Sequence, residues 1–260
     1  MNSLRLIATD LDGTLLNSRG ELSARNAAAL KAAQHAGLVV VLVTGRPVRM
    51  ALPLAQGLGL HGHVLCTNGA ATHRLPGGER EDVRGLSPSV LRTVIPRLRQ
   101  AVPGVGFALE YGDRVVRERG LRNDPESVPD ILEVLDEGVA LKLIARSPEH
   151  DTHALNAVIN VLCAGELEAT SSGANFSEVA AHGVNKGYAL ARLQRALGLE
   201  AADCVAFGDA HNDLPMFGAV MWAVAMDNAP DDVKRLASQV TASNDDDGVA
   251  RVIETLLAAG

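Results

Sequence analysis

The 260-residue sequence predicts a doubly wound α/β fold with a smaller α+β domain inserted into it. Three observations carry that prediction. Short apolar runs alternate with helical patterns through the first third of the chain, and the same alternation resumes in the last third. The stretch between them has a different texture, with short strands, two helical patterns and turn-rich breaks.

The first run, LRLIATD, is an apolar strand ended by polar residues. SARNAAALKAAQHAG follows as a helix, with Ser23 placed as N-cap and Gly37 as C-cap, and LVVVLVT is the next strand. A strand, helix and strand of these lengths imply parallel strands joined by a right-handed crossover. A helix from about Arg46 to Gly57 and a strand HVLCTNG come next. In the last third the order is a helix KGYALARLQRALG, a strand CVAFGD, a helix beginning near Asn212, a strand MWAVAM and closing helices. Continuous apolar strands such as LVVVLV suit a sheet buried on both faces. Both ends of the chain are therefore assigned to one parallel-sheet core, residues 1–80 and 184–260. From about His73 to Gly183, helices such as SPSVLRTVIPRLRQA and DTHALNAVINVLCAG separate strands such as GVGFALEY, VALKLIAR and ELEATSSG, with turns at RLPGGERE and RNDPES. This is the pattern of an inserted α+β domain, set at residues 81–183.

Composition narrows the partners. Hydrophobic residues make up 47% of the chain, enough for one large or two modest cores, and the formal net charge is -7. That charge offers no basic footprint for nucleic acid, while a local cationic pocket for a small anion stays open. Cys66, Cys163 and Cys204 lie far apart, each in apolar context, and read as reduced core residues rather than a disulfide or metal framework. The apolar part of MNSLRLIATD is too short for a signal peptide, and GLVVVLV is too short to span a bilayer. The expectation is a soluble, cytoplasmic protein with no membrane partner.

Polar residues stand immediately after four of the expected core strands: Asp10 and Asp12, Thr44, Asn68, and Asp209. In an open parallel sheet, ligands bind outside the carboxyl ends of the strands, so these sequence-distant residues should meet at one edge. Lys186 opens a helix, and Asn212 and Asp213 follow Asp209. Carboxylates, a hydroxyl, an ammonium and helix N-termini together suit Mg²⁺ and a phosphate. A carboxylate attacking a phosphate dianion meets repulsion of roughly 1 kcal/mol per unit charge at 4 Å in water, and about 4 kcal/mol at an effective dielectric near 20. A divalent cation and one ammonium would offset it and orient an in-line displacement. Crowding raises the pKa of one member of a carboxylate pair, so Asp10 and Asp12 can divide the roles of nucleophile and acid.

Several local patterns have other readings. Asp10, Asp12 and Glu21 fall on positions 1, 3 and 12 of a calcium loop, but Leu15 stands where that loop needs glycine. The HGH of His61 to His63 reads as a solvent-facing loop rather than a zinc site, and NDDDG, Asn244 to Gly248, as a solvated turn for which a supporting role at the site stays open. Arg46 is read either as an anchor of the inserted domain or as a salt bridge to the core, and is left unassigned between the two.

Taken in order, DLDGT (Asp10 to Thr14), VTGR (Val43 to Arg46), GVNKG (Gly183 to Gly187) and GDAHND (Gly208 to Asp213) resemble the four motifs of the haloacid dehalogenase (HAD) superfamily of phosphohydrolases. The match is closest to the Cof-like branch, whose type IIB cap is inserted between the second and third motifs of a Rossmann-like core. The resemblance implies that Asp10 is the nucleophile that becomes an aspartyl phosphate and that Asp12 is the general acid/base. It implies that Thr44, the Gly45 amide, Lys186 and Asn212 bind the phosphoryl oxygens. Asp10, the backbone carbonyl of Asp12 and Asp209 would hold Mg²⁺, with Asp213 supporting them or adding a ligand. The substrate would be a sugar phosphate or another small phosphate monoester, with the cap selecting its alcohol part.

Two rivals use the same chemistry differently. A phosphomutase returns the phosphoryl group from the aspartate to a sugar instead of water. A non-catalytic phospho-receiver or phosphoester sensor also carries an acid cluster, a Thr and a Lys on a doubly wound sheet. Receivers, however, place the phosphorylated Asp on a later strand than the acid pair and lack an inserted domain.

Overall fold

The computed structural model describes residues 4–121, 125–135, 138–171 and 175–258. Part of RNDPES and the end of ELEATSSG lie outside the described residues. The elements begin with β1 (Leu6–Thr9), α1 (Ala24–His35), β2 (Val39–Val43), α2 (Val48–Gly57), β3 (Gly62–Cys66), β4 (Ala71–Leu75) and β5 (Arg80–Val83). They continue with α3 (Pro88–Ala101), β6 (Gly106–Glu110), β7 (Val115–Arg117), β8 (Lys142–Arg146), α4 (Thr152–Leu162), β9 (Leu167–Thr170) and β10 (Ser177–Ala181). The last are α5 (Lys186–Leu197), β11 (Cys204–Gly208), α6 (Leu214–Phe217), β12 (Trp222–Ala225), α7 (Asp231–Lys234), β13 (Gln239–Val240) and α8 (Gly248–Ala258).

The chain divides into two compact units. One comprises Met1–Arg46, Met50–Asp82 and Asn185–Gly260, and the other Pro47–Arg49 and Val83–Val184. The first is built on a sheet of order β13-β12-β11-β1-β2-β3-β4-β5. Neighbours from β13 to β3 are parallel, and β4 runs antiparallel to β3. The parallel core expected from the sequence is thus extended by β4, which runs antiparallel because only residues 67–70 separate it from β3, and by β5 beyond it.

Apolar strands explain the burial of both sheet faces. Leu6, Ala8, Val41, Val43 and Ala206 pack against Leu190, Leu193, Met216 and Phe217, while the alternate residues Ile7, Val40, Leu42 and Val205 are also fully buried. Each such Leu, Ile or Val contributes about 1.5–3 kcal/mol relative to exposure. Helix α1 starts where Ser23 Oγ accepts the Asn26 N–H, and Gly37, at φ +88°, turns the chain just beyond it.

Local readings of the sequence need three corrections. Helix α2 begins at Val48, not Arg46: Pro47 disfavours helical geometry in the residue before it, and the Arg46 N–H is taken by Thr44 Oγ1. His63 is not in a solvent-facing loop but is buried in β3, paired with Arg74 of β4 and with its Nε2 3.1 Å from Glu81. The stretch after Asp209 is a short 3₁₀ turn, His211–Asp213, and α6 covers only Leu214–Phe217.

In the second unit, the antiparallel sheet β7-β6-β8-β10-β9 carries α3 and α4. Leu91, Val94, Ile95 and Leu98 of α3 and Leu155 and Ile159 of α4 share a core with Phe107, Leu109, Leu143 and Val179 from the strands. Cys66, Cys163 and Cys204 are free and buried, and burial pushes the Cys66 thiol up to about 12. No described helix is long and apolar enough to cross a membrane.

Candidate active site

Register places the polar strand ends side by side. β1 pairs residue for residue with β11 on one flank, Leu6 with Cys204 through Thr9 with Phe207, and with β2 on the other, Leu6 with Val39 through Thr9 with Leu42. Asp10, Asp209 and Thr44 therefore leave the sheet at one edge, at the point where the strand order reverses. β3 brings Asn68 to the same edge.

Lys186 Nζ lies 2.7 Å from Asp10 Oδ1 and 2.7 Å from Asp213 Oδ1, with the lysine only 1% exposed. Asn185 caps α5 by accepting the Tyr188 N–H, which fixes the helix start from which the lysine enters. Asp213 is fully buried, and its second oxygen accepts the backbone N–H groups of Asp209 and Ala210, each at 3.0 Å. Asp209 accepts the Thr14 hydroxyl at 2.7 Å. Glycines make room for these carboxylates: a Cβ on Gly13, at φ +79°, would lie 2.3 Å from Asp209 Oδ2, and one on Gly208 would lie 2.6 Å from Asp213 Cβ.

Oxygens of Asp10, Asp209 and Asp213 lie within 4.8 Å of one another. Burial pushes the Asp10 carboxyl up to about 8, against the pull of Lys186 and with the help of Asp213 and Asp209. Burial also pushes Asp209 up to about 6, opposed by the Thr14 hydrogen bond. Burial by itself lowers the Lys186 ammonium, but Asp10 and Asp213 outweigh it and hold the group above the ordinary lysine value. Three carboxylates facing one ammonium form a hard-oxygen donor set with surplus negative charge, the chemistry that suits a small divalent cation such as Mg²⁺.

The remaining sequence-derived candidates surround this group. The Asp12 carboxylate is not among the three: it is half exposed and held by Arg46 through Nε at 2.8 Å and Nη2 at 2.5 Å. Thr44 is fully buried, and its Oγ1 accepts the Arg46 N–H, which leaves the hydroxyl proton to be donated elsewhere. Gly45 sits against Asn68, and Asn212 Nδ2 donates to Asn68 Oδ1 at 3.3 Å.

Some contributors escape the motif reading. Thr14 lies inside DLDGT but shows its partner only in three dimensions, because Asp209 is 195 positions away. Arg46 has a role as the partner of Asp12. Of the two readings of NDDDG the supporting one fits: Asn244 is buried and donates to the Leu16 carbonyl, and Asp245 accepts the Ser18 N–H at 2.8 Å. Asn228 donates to the Gly13 carbonyl and accepts the Asn244 N–H. Among these, only the amide- and acid-rich composition of the tail gives a signal in the sequence.

A profile of the haloacid dehalogenase-like hydrolases matches residues 7–253. The chain is 30% identical to a 5-amino-6-(5-phospho-D-ribitylamino)uracil phosphatase of Bacillus subtilis over 98% of both chains. A second phosphatase of that activity from the same organism is 32% identical over 96% of this chain and 94% of the relative. Among solved structures, a phosphatase of the HAD superfamily from Bacteroides thetaiotaomicron superposes with a TM-score of 0.85 at 25% identity, covering 97% of this chain and 95% of that one.

Proposed function

The chain belongs to the haloacid dehalogenase-like hydrolases, and from that premise we propose that it is a Mg²⁺-dependent phosphatase that hydrolyses small phosphate monoesters through an aspartyl phosphate on Asp10. The observation that carries this reading is the buried Asp10–Lys186–Asp213 chain with Asp209 beside it. Asp10, Asp209 and Asp213, with the Asp12 backbone carbonyl, would hold the cation, which when bound neutralises phosphoryl charge and lets a carboxylate approach phosphorus.

The protein's own groups divide the work. An Asp10 oxygen forms a bond to phosphorus as the ester P–O bond breaks, and the leaving oxygen takes its electron pair and a proton from Asp12. Lys186, the Thr44 hydroxyl, the Gly45 amide and the Asn212 amide donate to the equatorial oxygens, where charge spreads in the transition state. Asp12 then takes a proton from water as that water attacks phosphorus, and inorganic phosphate leaves with the Asp10 carboxylate restored. In this structure Arg46 holds the Asp12 carboxylate, so the donating role requires Asp12 to release Arg46 and take up a proton before the ester bond breaks.

The inserted segment, residues 81–183, is proposed as the cap that selects the alcohol part of the substrate. The two Bacillus subtilis relatives support a phosphorylated polyol or sugar as that class. Three free, buried cysteines support a cytoplasmic enzyme. The phosphomutase reading remains a rival because it shares every group named above.

The deciding experiment is phosphate release from a panel of sugar phosphates, polyol phosphates, nucleotides and p-nitrophenyl phosphate, in Mg²⁺ and in EDTA. The expected result is Mg²⁺-dependent release that Asp10→Asn abolishes. Release that persists in Asp10→Asn would remove the covalent route. Release that needs an added sugar bisphosphate would favour the mutase.

A further inference from the structure

The segment CTNGA, after β3, holds a backbone that its residue types do not favour. Thr67, Asn68 and Gly69 have φ of +54°, +55° and +91°. Asparagine tolerates the left-handed region and glycine favours it, but a β-branched threonine there is strained. Such a turn persists only where its surroundings over-determine it. Here Thr67 N–H donates to the Arg46 carbonyl and Asn68 N–H to the Thr44 carbonyl, each at 2.9 Å. On the other side Gly69 meets the first residues of α5, since a Cβ on it would lie 2.6 Å from the Asn185 carbonyl oxygen. The turn thus joins the Thr44–Arg46 loop to the helix that delivers Lys186.

The Asn68 side chain points into the same junction. It is 7% exposed, its Oδ1 accepts Asn212 Nδ2, and a Cβ on Gly45 would lie 3.1 Å from that oxygen. Asn212 Oδ1 is buried and has no hydrogen-bond partner among the described residues. The bond to Asn68 is therefore what sets the orientation of the Asn212 amide: one N–H is committed to Asn68 and the other is left to donate. Resting on the phosphatase reading above, we propose that Asn68 is a positioning residue of the phosphate site, whose side-chain oxygen holds the Asn212 amide with an N–H directed at a phosphoryl oxygen.

The competing explanation is that asparagine stands at position 68 only because it accepts positive φ. Glycine separates the two, because it adopts that backbone more readily than asparagine and lacks the amide. In Asn68→Gly, the unfolding temperature should equal or exceed that of the wild type. Inorganic phosphate, titrated in the presence of Mg²⁺, should bind about tenfold more weakly, and kcat/KM should fall at least about tenfold on p-nitrophenyl and sugar phosphates alike, the scale of one hydrogen bond to a charged group. Asn212→Ala should show a similar loss, and the double variant should lose no more than Asn212→Ala alone. Wild-type phosphate affinity and turnover in Asn68→Gly would overturn the proposal, as would losses that multiply in the double variant. A wild type that binds phosphate but never releases it from an ester overturns the phosphatase reading alone, since the affinity comparison still decides the role of Asn68. A wild type that binds no phosphate overturns both.

Discussion

Replacing Lys186 by methionine removes the one ammonium that faces Asp10 and Asp213 and leaves the space filled. Each contact is 2.7 Å long, so each is worth roughly 6 kcal/mol of gross attraction at an effective dielectric of 20. Desolvation cancels much of that, and the net cost of stripping a buried carboxylate of its partner is about 3–5 kcal/mol. The cost depends on pH. Burial already pushes Asp10 up to about 8 from the ordinary 3.8, so the folded state binds this proton more tightly than the unfolded chain, and the stability attached to it falls as pH rises from 3.8 through 8. Without the ammonium the carboxyl is protonated more readily still. Lys186→Met should therefore lose less at pH 5.5, where Asp10 carries its proton and only the Asp213 contact is given up, than at pH 8.5, where the loss should be about 3–5 kcal/mol, both in EDTA. Trp222, the single tryptophan, lies in β12 and reports the unit that holds the site. Urea unfolding followed by its fluorescence should show a midpoint lowered by about 1–5 M at pH 8.5, for a slope of about 1–3 kcal/mol/M. Equal midpoints for variant and wild type at pH 8.5 would refute the reasoning, as would a deficit that is larger at pH 5.5.

Two further outcomes follow from the same geometry. Asp10 and Asp209, raised to about 8 and about 6, must lose their protons before they hold a cation, so Mg²⁺ affinity should climb with pH across that window. Added Mg²⁺ should then raise the thermal midpoint more at pH 8 than at pH 6, and equal shifts would take these two acids out of the cation site. Gly13→Ala forces positive φ on alanine and drives a Cβ to within 2.3 Å of Asp209 Oδ2. It should cost about 1–3 kcal/mol and weaken Mg²⁺ binding. Gly20→Ala, at φ +74° with nothing within 4 Å, should carry the backbone strain but leave the Mg²⁺ affinity alone, and calorimetric titration of both variants checks the contrast.

What could be read from the residues alone was whatever local periodicity encodes. The continuous apolar runs LIAT, VVVLV and CVAFG are strands because both faces of the sheet are buried, and each hands a polar residue to the same edge. Features set by distant partners were not readable. RLPGGERE reads as a turn of the inserted segment, yet β4 and β5, which it joins, extend the first sheet, since only the pairing of β4 with β3 and the place of β5 beside β4 show where they belong. HGH looks solvated because its glycine suggests a loop, but Gly62, at φ +136°, fits where a Cβ would meet the Val40 carbonyl at 2.1 Å, and His63 goes inward toward Glu81. The salt bridge of Arg46 to the core was one of two readings open in the sequence, and its partner could not be named because Asp12 lies 34 positions away.

The acids of this site are held by backbone as much as by charge, and that explains why the residues at the end of the chain matter to those at its start. Three carboxylates within 4.8 Å repel one another, and a flexible loop would relieve that repulsion by moving Asp10 or Asp209 apart. The loop after Asp10 is prevented from doing so at three points: Asn228 binds the Gly13 carbonyl, Asn244 binds the Leu16 carbonyl, and Asp245 receives the Ser18 N–H. Asp213, in turn, is fixed by two backbone N–H groups that no neighbouring carboxylate can displace. Electrostatic preorganisation requires that groups of like charge stay close before any cation or substrate arrives. In this fold the Asn228 to Asp245 segment supplies that constraint, so its amides and acid are part of the site's construction even though none of them sits among the three grouped carboxylates.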